Sequence, residues 1–317
     1  MLVDHGTGRL AEIPVAKIIP NPDNPRIAFR PGELETLQES IRQYGVQVPV
    51  TVFKKGHQFV LIDGERRWRC ASKLALKTIP GLIQEEPGPL ENLLLMFNIH
   101  ALREQWDYLT IALKLDDIIR MLASQLGKEP NEADLSSRTG LTRGTIRRCR
   151  LLMELPEKYQ QMLLEELKKP KGKQSLSEDF FIEMEKALKT ISRAMPEVLP
   201  SKEKARQVLL KKYKSGVIDN IVDFRKVGKI ARARNVQADP VEAQDAIRRL
   251  LTEPTYSIKA AWTDTVAEAY AERDIVTRID TLLAKFEEVR PYDIDDEVRE
   301  KLEELIDGAK ALLESDE

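Results

Sequence analysis

At 317 residues the chain is long enough for two or three domains, and its 42% apolar content supports packed cores and excludes wholesale disorder. Charged residues at 32% with aromatics at 6% favour a helix-rich protein, while a net charge of −2 excludes a globally basic nucleic-acid binder. Any contact with DNA must therefore come from a local basic patch.

Cys70 and Cys149 are the only cysteines, which excludes a disulfide framework and fits a reduced cytoplasm. His5, His57 and His100 lack metal-ligand spacing, so no zinc site is predicted. The polar start and the lack of any apolar run near ~20 residues predict neither a signal peptide nor a membrane span.

Alternation predicts a strand over residues 13–19, followed by a turn-rich loop, Pro20-Asn21-Pro22-Asp23-Asn24-Pro25-Arg26. Leu34, Leu37 and Ile41 recur at helical spacing over residues 33–43, with Tyr44-Gly45 as the stop. Residues 48–53 and 58–62 read as a hairpin through Lys54-Lys55-Gly56-His57.

Next comes Asp63-Gly64-Glu65-Arg66-Arg67-Trp68-Arg69, between that second strand and a helix predicted to reach Leu76. A helix N-terminus carries unpaired N–H groups and the positive end of the helix dipole, and a glycine there allows close backbone approach. Cations are mildly unfavourable at that end, so Arg66 and Arg67 make sense if an anion compensates them. The alternative is a solvated surface, since Glu65 and Arg69 stand four apart and such pairs contribute only ~0.3 kcal/mol.

The order Gly-Glu-Arg-Arg-Trp-Arg between strand and helix resembles the nucleotide-binding motif of ParB-type partition proteins, whose N-terminal domain shares a fold with sulfiredoxin. The run Asn21-Pro22-Asp23-Asn24-Pro25-Arg26 resembles the box that lies against the pocket in that family, which implies phosphate or DNA contact for Arg26. Family members usually carry a glutamine directly before the proline matching Pro49, where this chain has Val48 preceded by Gln47.

A short strand over residues 79–84 and a helix from Leu90 follow, with Leu93, Leu94, Met96 and Phe97 as the apolar face. In the family this helix ends in Glu-Asn and contacts phosphates and magnesium; here Asn98 matches and Phe97 stands in place of the acid. Magnesium favours oxygen ligands, and a phenylalanine neither coordinates it nor orients water, so hydrolysis is expected to be weak. Glu91 and Glu104 are the substitute acids to consider.

Residues 108–126 form an amphipathic pattern through Leu109, Ala112, Leu115, Ile119 and Leu122. Residues 132–152 read as helix, tight turn at Thr139-Gly140-Leu141, then a helix capped by Thr142. Ile146 and Cys149 should be its buried side, with Arg143, Arg147, Arg148 and Arg150 facing out. Such a helix can enter the major groove, where arginine reads guanine; the alternative is a basic helix on a protein-binding bundle. The following Leu151-Leu152-Met153-Glu154-Leu155-Pro156 also resembles the run after the family's recognition helix, so the resemblance covers residues 13–167.

Lys168 to Gln174 reads as a linker or a phosphate-contacting loop, and beyond it the sequence is almost wholly helical. Ser177 and Ser201 are N-cap candidates, and Pro240 begins a helix. The basic run from Arg225 to Arg234 is either a non-specific DNA contact or a solvated face. Two amphipathic patterns close the sequence, one with Trp262, Val266, Ile275, Ile279, Leu282 and Phe286, the other with Val298, Leu302, Leu305, Ala309 and Leu312. Pro291-Tyr292-Asp293 between them predicts a helical hairpin, and the second stripe suits internal packing or a dimer seam.

The expected fold is an α+β ParB/sulfiredoxin-like domain over residues 1–105, an all-α helix-turn-helix domain over 106–170 and an all-α C-terminal domain over 171–317. The resemblance implies a CTP-dependent DNA clamp in plasmid or chromosome partition, with Gly64, Glu65, Arg66, Arg67, Asn98 and Arg26 at the nucleotide. It further implies Asn98 at a magnesium ion, and Thr142, Arg143, Thr145, Arg147 and Arg148 at double-stranded DNA. It also implies a homodimer, a ParA-type ATPase as a candidate partner, and a cytoplasmic, nucleoid- or plasmid-associated protein. No catalytic residue is assigned and only weak CTPase activity is expected. The alternatives are a transcription regulator or nucleoid protein without nucleotide hydrolysis, and a nuclease or phosphotransferase on the same fold. On this reading, Arg67→Ala abolishes nucleotide binding and leaves the fold intact.

Overall fold

The computed structural model describes residues 8–24, 31–100, 107–199, 201–290 and 294–314. Arg26 and Glu104, both candidates from the sequence, lie outside the described residues. The chain divides into two compact units, residues 1–186 and 187–317.

The first unit opens with β1 (Arg9–Pro14), β2 (Ile18–Ile19), α1 (Pro31–Tyr44), β3 (Val50–Lys55), β4 (Gln58–Asp63), α2 (Glu65–Lys73), β5 (Thr78–Gln84) and α3 (Pro89–His100). The five strands form one mixed sheet in the order β1-β5-β3-β4-β2. The single strand expected over residues 13–19 is thus two. Pro14 ends β1 opposite Thr78, and having no N–H it cannot extend the ladder. Val15–Lys17 then makes a 3-10 turn, anchored by the Val15 amide on the Lys77 carbonyl at 3.1 Å. The chain thereby passes from one sheet edge to the other, where Ile18 and Ile19 pair in parallel with Phe59 and Val60.

Ile13, Val15, Ile18, Val50, Val52, Leu61, Ala71 and Ile79 make one buried cluster, which joins the sheet to α2. Leu34, Ile41 and Cys70 make another, which joins α2 to α1. At roughly 1.5–3 kcal/mol for each fully buried Val, Leu or Ile, this burial fixes where α2 starts and how it is rolled. The helix expected to reach Leu76 ends at Lys73, because Ala75 takes a left-handed φ of 53°.

The unit continues with α4 (Tyr108–Leu126), α5 (Glu132–Thr139), α6 (Arg143–Met153), α7 (Glu157–Lys168) and the start of α8 (Glu178–Ala194). The buried seam of α4 runs through Leu109, Ala112, Leu115, Ile118 and Leu122. Ile119, expected on that face, is only half-buried, and the neighbouring Ile118 is the residue fully buried there. Cys149 and Cys70 are both free thiols and both buried.

The second unit holds α9 (Lys202–Lys214), α10 (Phe224–Ile230), α11 (Pro240–Thr252), α12 (Ile258–Thr263), α13 (Ala267–Glu288) and α14 (Asp296–Glu314). Phe224, Val227, Ile230, Ala243, Ile247, Leu250, Ala261 and Val266 supply its buried side chains. Lys212, only 2% exposed, donates to the carbonyls of Leu250 and Tyr256, both at 2.6 Å, and so ties the end of α11 to the start of α12. Burial pulls its ammonium down to a pKa of about 8, against the opposing pull of Glu253. Neither α13 nor α14 buries a residue, so the apolar stripes expected to close a hairpin are exposed, at Ile275, Ile279, Leu305 and Leu312 among others. Among the described residues no helix is long and apolar enough to cross a membrane.

Candidate functional site

The β4–α2 junction is built around Gly64, which takes a φ of 97° between the end of β4 and the first residue of α2. A Cβ at this position would stand 2.7 Å from Val50 Cγ1, on a side chain that is fully buried. Packing and backbone conformation each call for glycine here, independently of any ligand. Gly64→Ala is accordingly expected to destabilise the first unit by about 2 kcal/mol. Denaturant unfolding of the variant checks this; an unchanged midpoint would show that neither the strain nor the clash is felt.

The arginines of the motif do not point one way. Arg67 donates to the carbonyls of Val48 at 2.7 Å and Pro49 at 2.9 Å, and pairs with Asp63 at 2.8 Å. Its guanidinium therefore faces the protein and pins the entry of β3 against the junction, rather than presenting all its donors to an outside anion. Arg66 is half-buried and close enough to Cys70 for its charge to oppose the rise that burial imposes on that thiol. Arg69 forms a fork on Glu65, at 2.8 and 2.6 Å. Glu65 is only 9% exposed and also accepts from the Asn24 amide. Through Glu65 the pair ties α2 to the 21–24 loop.

A second tie secures the same loop to α3. The buried Asn21 and Asn92 bond to each other at 3.0 Å, and the Asn92 amide reaches Asp23 at 3.2 Å. Sequence reasoning missed Asn92, although a lone amide inside the apolar run from Leu90 to Phe97 was the available signal. Asn98 is exposed on α3, while Phe97 is fully buried and serves as a core residue. Gln47, one place from the family position, donates to the Tyr44 carbonyl at the end of α1.

These donors do not fit a resident magnesium ion. Among the described residues no group of three or more His, Cys, Asp and Glu could hold a metal. Asp63 and Glu65, the carboxylates of the junction, are engaged by Arg67 and Arg69. Asn98 offers an amide oxygen on a turn whose other candidate is a phenyl ring.

The helical part carries the second candidate. Asn131 caps α5 in a reciprocal box with Asp134. Gly140 ends that helix at a φ of 72°, and the Ser136 hydroxyl donates to the Leu141 carbonyl at 2.7 Å, fixing the turn. Thr142 then caps α6 by accepting from the Thr145 amide at 3.1 Å. Ile146, Cys149 and Leu152 are fully buried, as the spacing predicts.

The arginines of α6 separate into two sets. Arg143 and Arg147 are exposed beside Thr142, and Arg147 pairs with Glu132 of α5 at 2.9 Å. Arg148, expected to face out with them, instead bonds Asp179 and stacks 4.5 Å from the Tyr108 ring centroid. It is a strut between α6, the start of α4 and α8, because its position lies next to Cys149 on the buried side of the helix. Arg150 likewise turns back, to the Pro130 carbonyl at 3.4 Å.

Glu178 stands beside this strut and supplies what Asp107 does not, a carboxylate accepting from the first turn of α4, at 2.5 Å from the Leu109 amide. Burial raises its pKa to about 7, with Asp107 and Asp179 adding to the rise and the Leu109 and Tyr108 amides opposing it. Cys149, buried nearby, is pushed up to about 12 chiefly by burial and then by Glu178. Since the folded protein holds the Glu178 proton more tightly than the unfolded chain, whose carboxyl titrates near 4.5, stability falls as pH rises from 4.5 to 7. Glu178→Gln is expected to flatten that slope, read from urea midpoints at pH 5, 6, 7 and 8. Parallel curves for the two proteins would remove Glu178 as the source.

Residues 3–94 match the ParB N-terminal domain. The chain is 27% identical over 276 residues to Stage 0 sporulation protein J of Bacillus subtilis (strain 168), covering 79% of this chain and 94% of that one. It is 29% identical over 167 residues to the chromosome-partitioning protein ParB of Caulobacter vibrioides (strain NA1000 / CB15N), covering 50% of each. The chain thus spans nearly all of the first relative and about half of the second. Among solved structures, a C-terminally truncated ParB from Caulobacter crescentus complexed with CTP-gamma-S is 28% identical, covering 50% of this chain and 86% of that one with a TM-score of 0.29. Residues 3–94 thus carry a ParB N-terminal domain, and beyond it the chain is similar to ParB-type partition proteins.

Proposed function

We propose that the chain is a DNA-binding partition protein whose α5–α6 pair docks on duplex DNA and whose β4–α2 junction binds CTP. The observation that carries the DNA reading is the division of labour on α6. Ile146, Cys149 and Leu152 root the helix, the Arg148 strut fixes its roll, and Thr142, Arg143, Thr145 and Arg147 are left on the accessible side. That is the arrangement a helix needs to carry arginine and threonine into a major groove. Glu132 then serves to hold Arg147 in place until a base or phosphate takes over from it.

CTP is named from the motif resemblance and from the ligand of the Caulobacter crescentus ParB. In this chain Arg66 and the backbone at Gly64 and Glu65 would meet its phosphates, while Arg67 shapes the floor of the pocket. The 21–24 loop, tied to both α2 and α3, would close one side. The buried Phe97 favours binding with little hydrolysis, and the same residue supports the second reading, a DNA-binding regulator that has kept the fold without nucleotide turnover. The exposed apolar stripes on α13 and α14 support a homodimer, to be read by light scattering of the eluting protein.

A thermal-shift series with CTP, ATP, GTP and UTP, each with and without a cognate duplex selected from random sequence, tests the proposal. The expected result is a CTP-only shift together with retention of a defined duplex. A shift with ATP alone would favour a phosphotransferase, and no shift with duplex binding intact would favour the regulator.

A further inference from the structure

We propose that Glu132, at the start of α5, sets the sequence discrimination of α6 by holding Arg147 in a state that accepts an uncharged base edge and disfavours a phosphate. The inference rests on the DNA reading of α6 and assigns a role to a residue outside that helix. Arg147 Nε donates to Glu132 Oε2 at 2.9 Å, and among the described residues its two Nη groups bond nothing. A guanidinium held at Nε still presents two parallel N–H donors from its far end, the fork that matches O6 and N7 of guanine.

The hold is built into the turn. Glu132 is the first residue of α5, where the positive end of the helix favours a carboxylate. The Asn131 side chain fixes that first turn by accepting from the Ala133 amide at 2.8 Å and the Asp134 amide at 2.9 Å. On the facing helix the buried Ile146 and Cys149 stand on either side of Arg147 in the chain and set the direction in which it leaves α6. The same 129–132 segment engages a second arginine, Arg150, through the Pro130 carbonyl at 3.4 Å and Glu129 at 3.8 Å. Arg143, one turn earlier on α6 and also exposed, pairs with no carboxylate among the described residues. Glu132 thus separates Arg147 from the other exposed arginine of its helix.

The consequence lies in charge. Guanine offers Arg147 neutral acceptors, so Glu132 keeps its bond while the free end of the guanidinium reads the base. A phosphate on the same guanidinium would place a second anion ~6 Å from the Glu132 carboxylate, a repulsion of about threefold in affinity at the dielectric of bulk water and more at that of a protein surface. Phosphate contact is what every duplex offers, whatever its sequence. Specificity is a difference between two affinities, and a charge that weakens only the wrong mode widens it.

The test uses the full chain and measures affinity for a selected duplex and for a scrambled one at fixed salt. Glu132→Gln keeps the size of the side chain and removes its charge. It is expected to strengthen scrambled-duplex binding by about threefold to tenfold and to leave selected-duplex binding unchanged or weaker, so that the preference falls by about that factor or more. In an Arg147→Ala background the same substitution should leave the ratio of the two affinities where Arg147→Ala alone puts it, since Glu132 acts through that arginine. The melting midpoint, which a merely structural role would move, should stay near that of the parent. An equal change for both duplexes in Glu132→Gln, or a ratio that falls just as far without Arg147, would overturn the inference and leave the α6 reading standing. Relaxed preference at a base pair that Arg147→Ala does not affect would make Glu132 a base contact itself and would overturn it too. If the parent protein prefers no duplex over another, both readings fall.

Discussion

Arg67→Ala is expected to lower the thermal midpoint of the first unit by several degrees as well as to remove CTP binding. The guanidinium makes hydrogen bonds to two backbone carbonyls and an ion pair with Asp63, and both partners of that pair are less than one-fifth exposed. Truncation leaves a half-buried carboxylate and two carbonyls without these donors, a loss of about 3 kcal/mol. The motif read alone leads to a different expectation, lost binding with an intact fold, and the structure changes its second half. Arg67→Lys separates the two roles, since it keeps the charge but cannot serve three acceptors in the fork geometry of arginine. Its expected result is a partial loss of stability with binding much reduced. A variant as stable as the parent and still unable to bind CTP would return Arg67 to the ligand itself.

Arg147→Ala and Arg148→Ala, adjacent on one helix, are expected to fail in opposite assays. Arg147 is 64% exposed and, among the described residues, held by Glu132, so its loss should weaken specific duplex binding by ~1–3 kcal/mol, or about tenfold to a hundredfold, with an unchanged melting midpoint. Arg148 is engaged by Asp179 and the Tyr108 ring, so its loss should lower the midpoint and weaken all duplexes alike through the roll of α6. Binding to a panel of single-base variants distinguishes the two. If Arg148→Ala instead relaxes the preference at one base pair and leaves the midpoint alone, the strut assignment is wrong.

Much of this is legible in the sequence where a local rule acts alone. Thr142 announces its helix, Gly140 its turn, and the period of Ile146 and Cys149 its buried side. What is not legible depends on partners distant in the chain. Arg148 lies inside a basic run, and nothing near it says that Asp179 will arrive from α8 to engage it. The same holds for Asn92, whose partners at Asn21 and Asp23 stand some seventy positions earlier. Phe97 stands out in the sequence by its mismatch to a motif, whereas its burial places it in the core, where an apolar ring belongs. The fold class is legible as strands followed by helices, but the strand order is not, because the alternation of residues 13–19 runs straight through the turn that divides it.

That division has a consequence for how the protein is made. β1 and β2 flank the sheet on both sides, yet their partners are β5 and β4, so Arg9 waits for Ile83 and Ile18 for Phe59. On the ribosome the first apolar run of this sheet to emerge is thus paired late, Ile18 only when Phe59 has been added, 41 residues on, and Ile13 only when Ile79 has, 66 residues on. Until then the outer sides of β4 and β5 remain open to strands of another nascent chain. Residues 9–19 act as a late clasp, and refolding of this sheet should be slow relative to the helical part of the same chain.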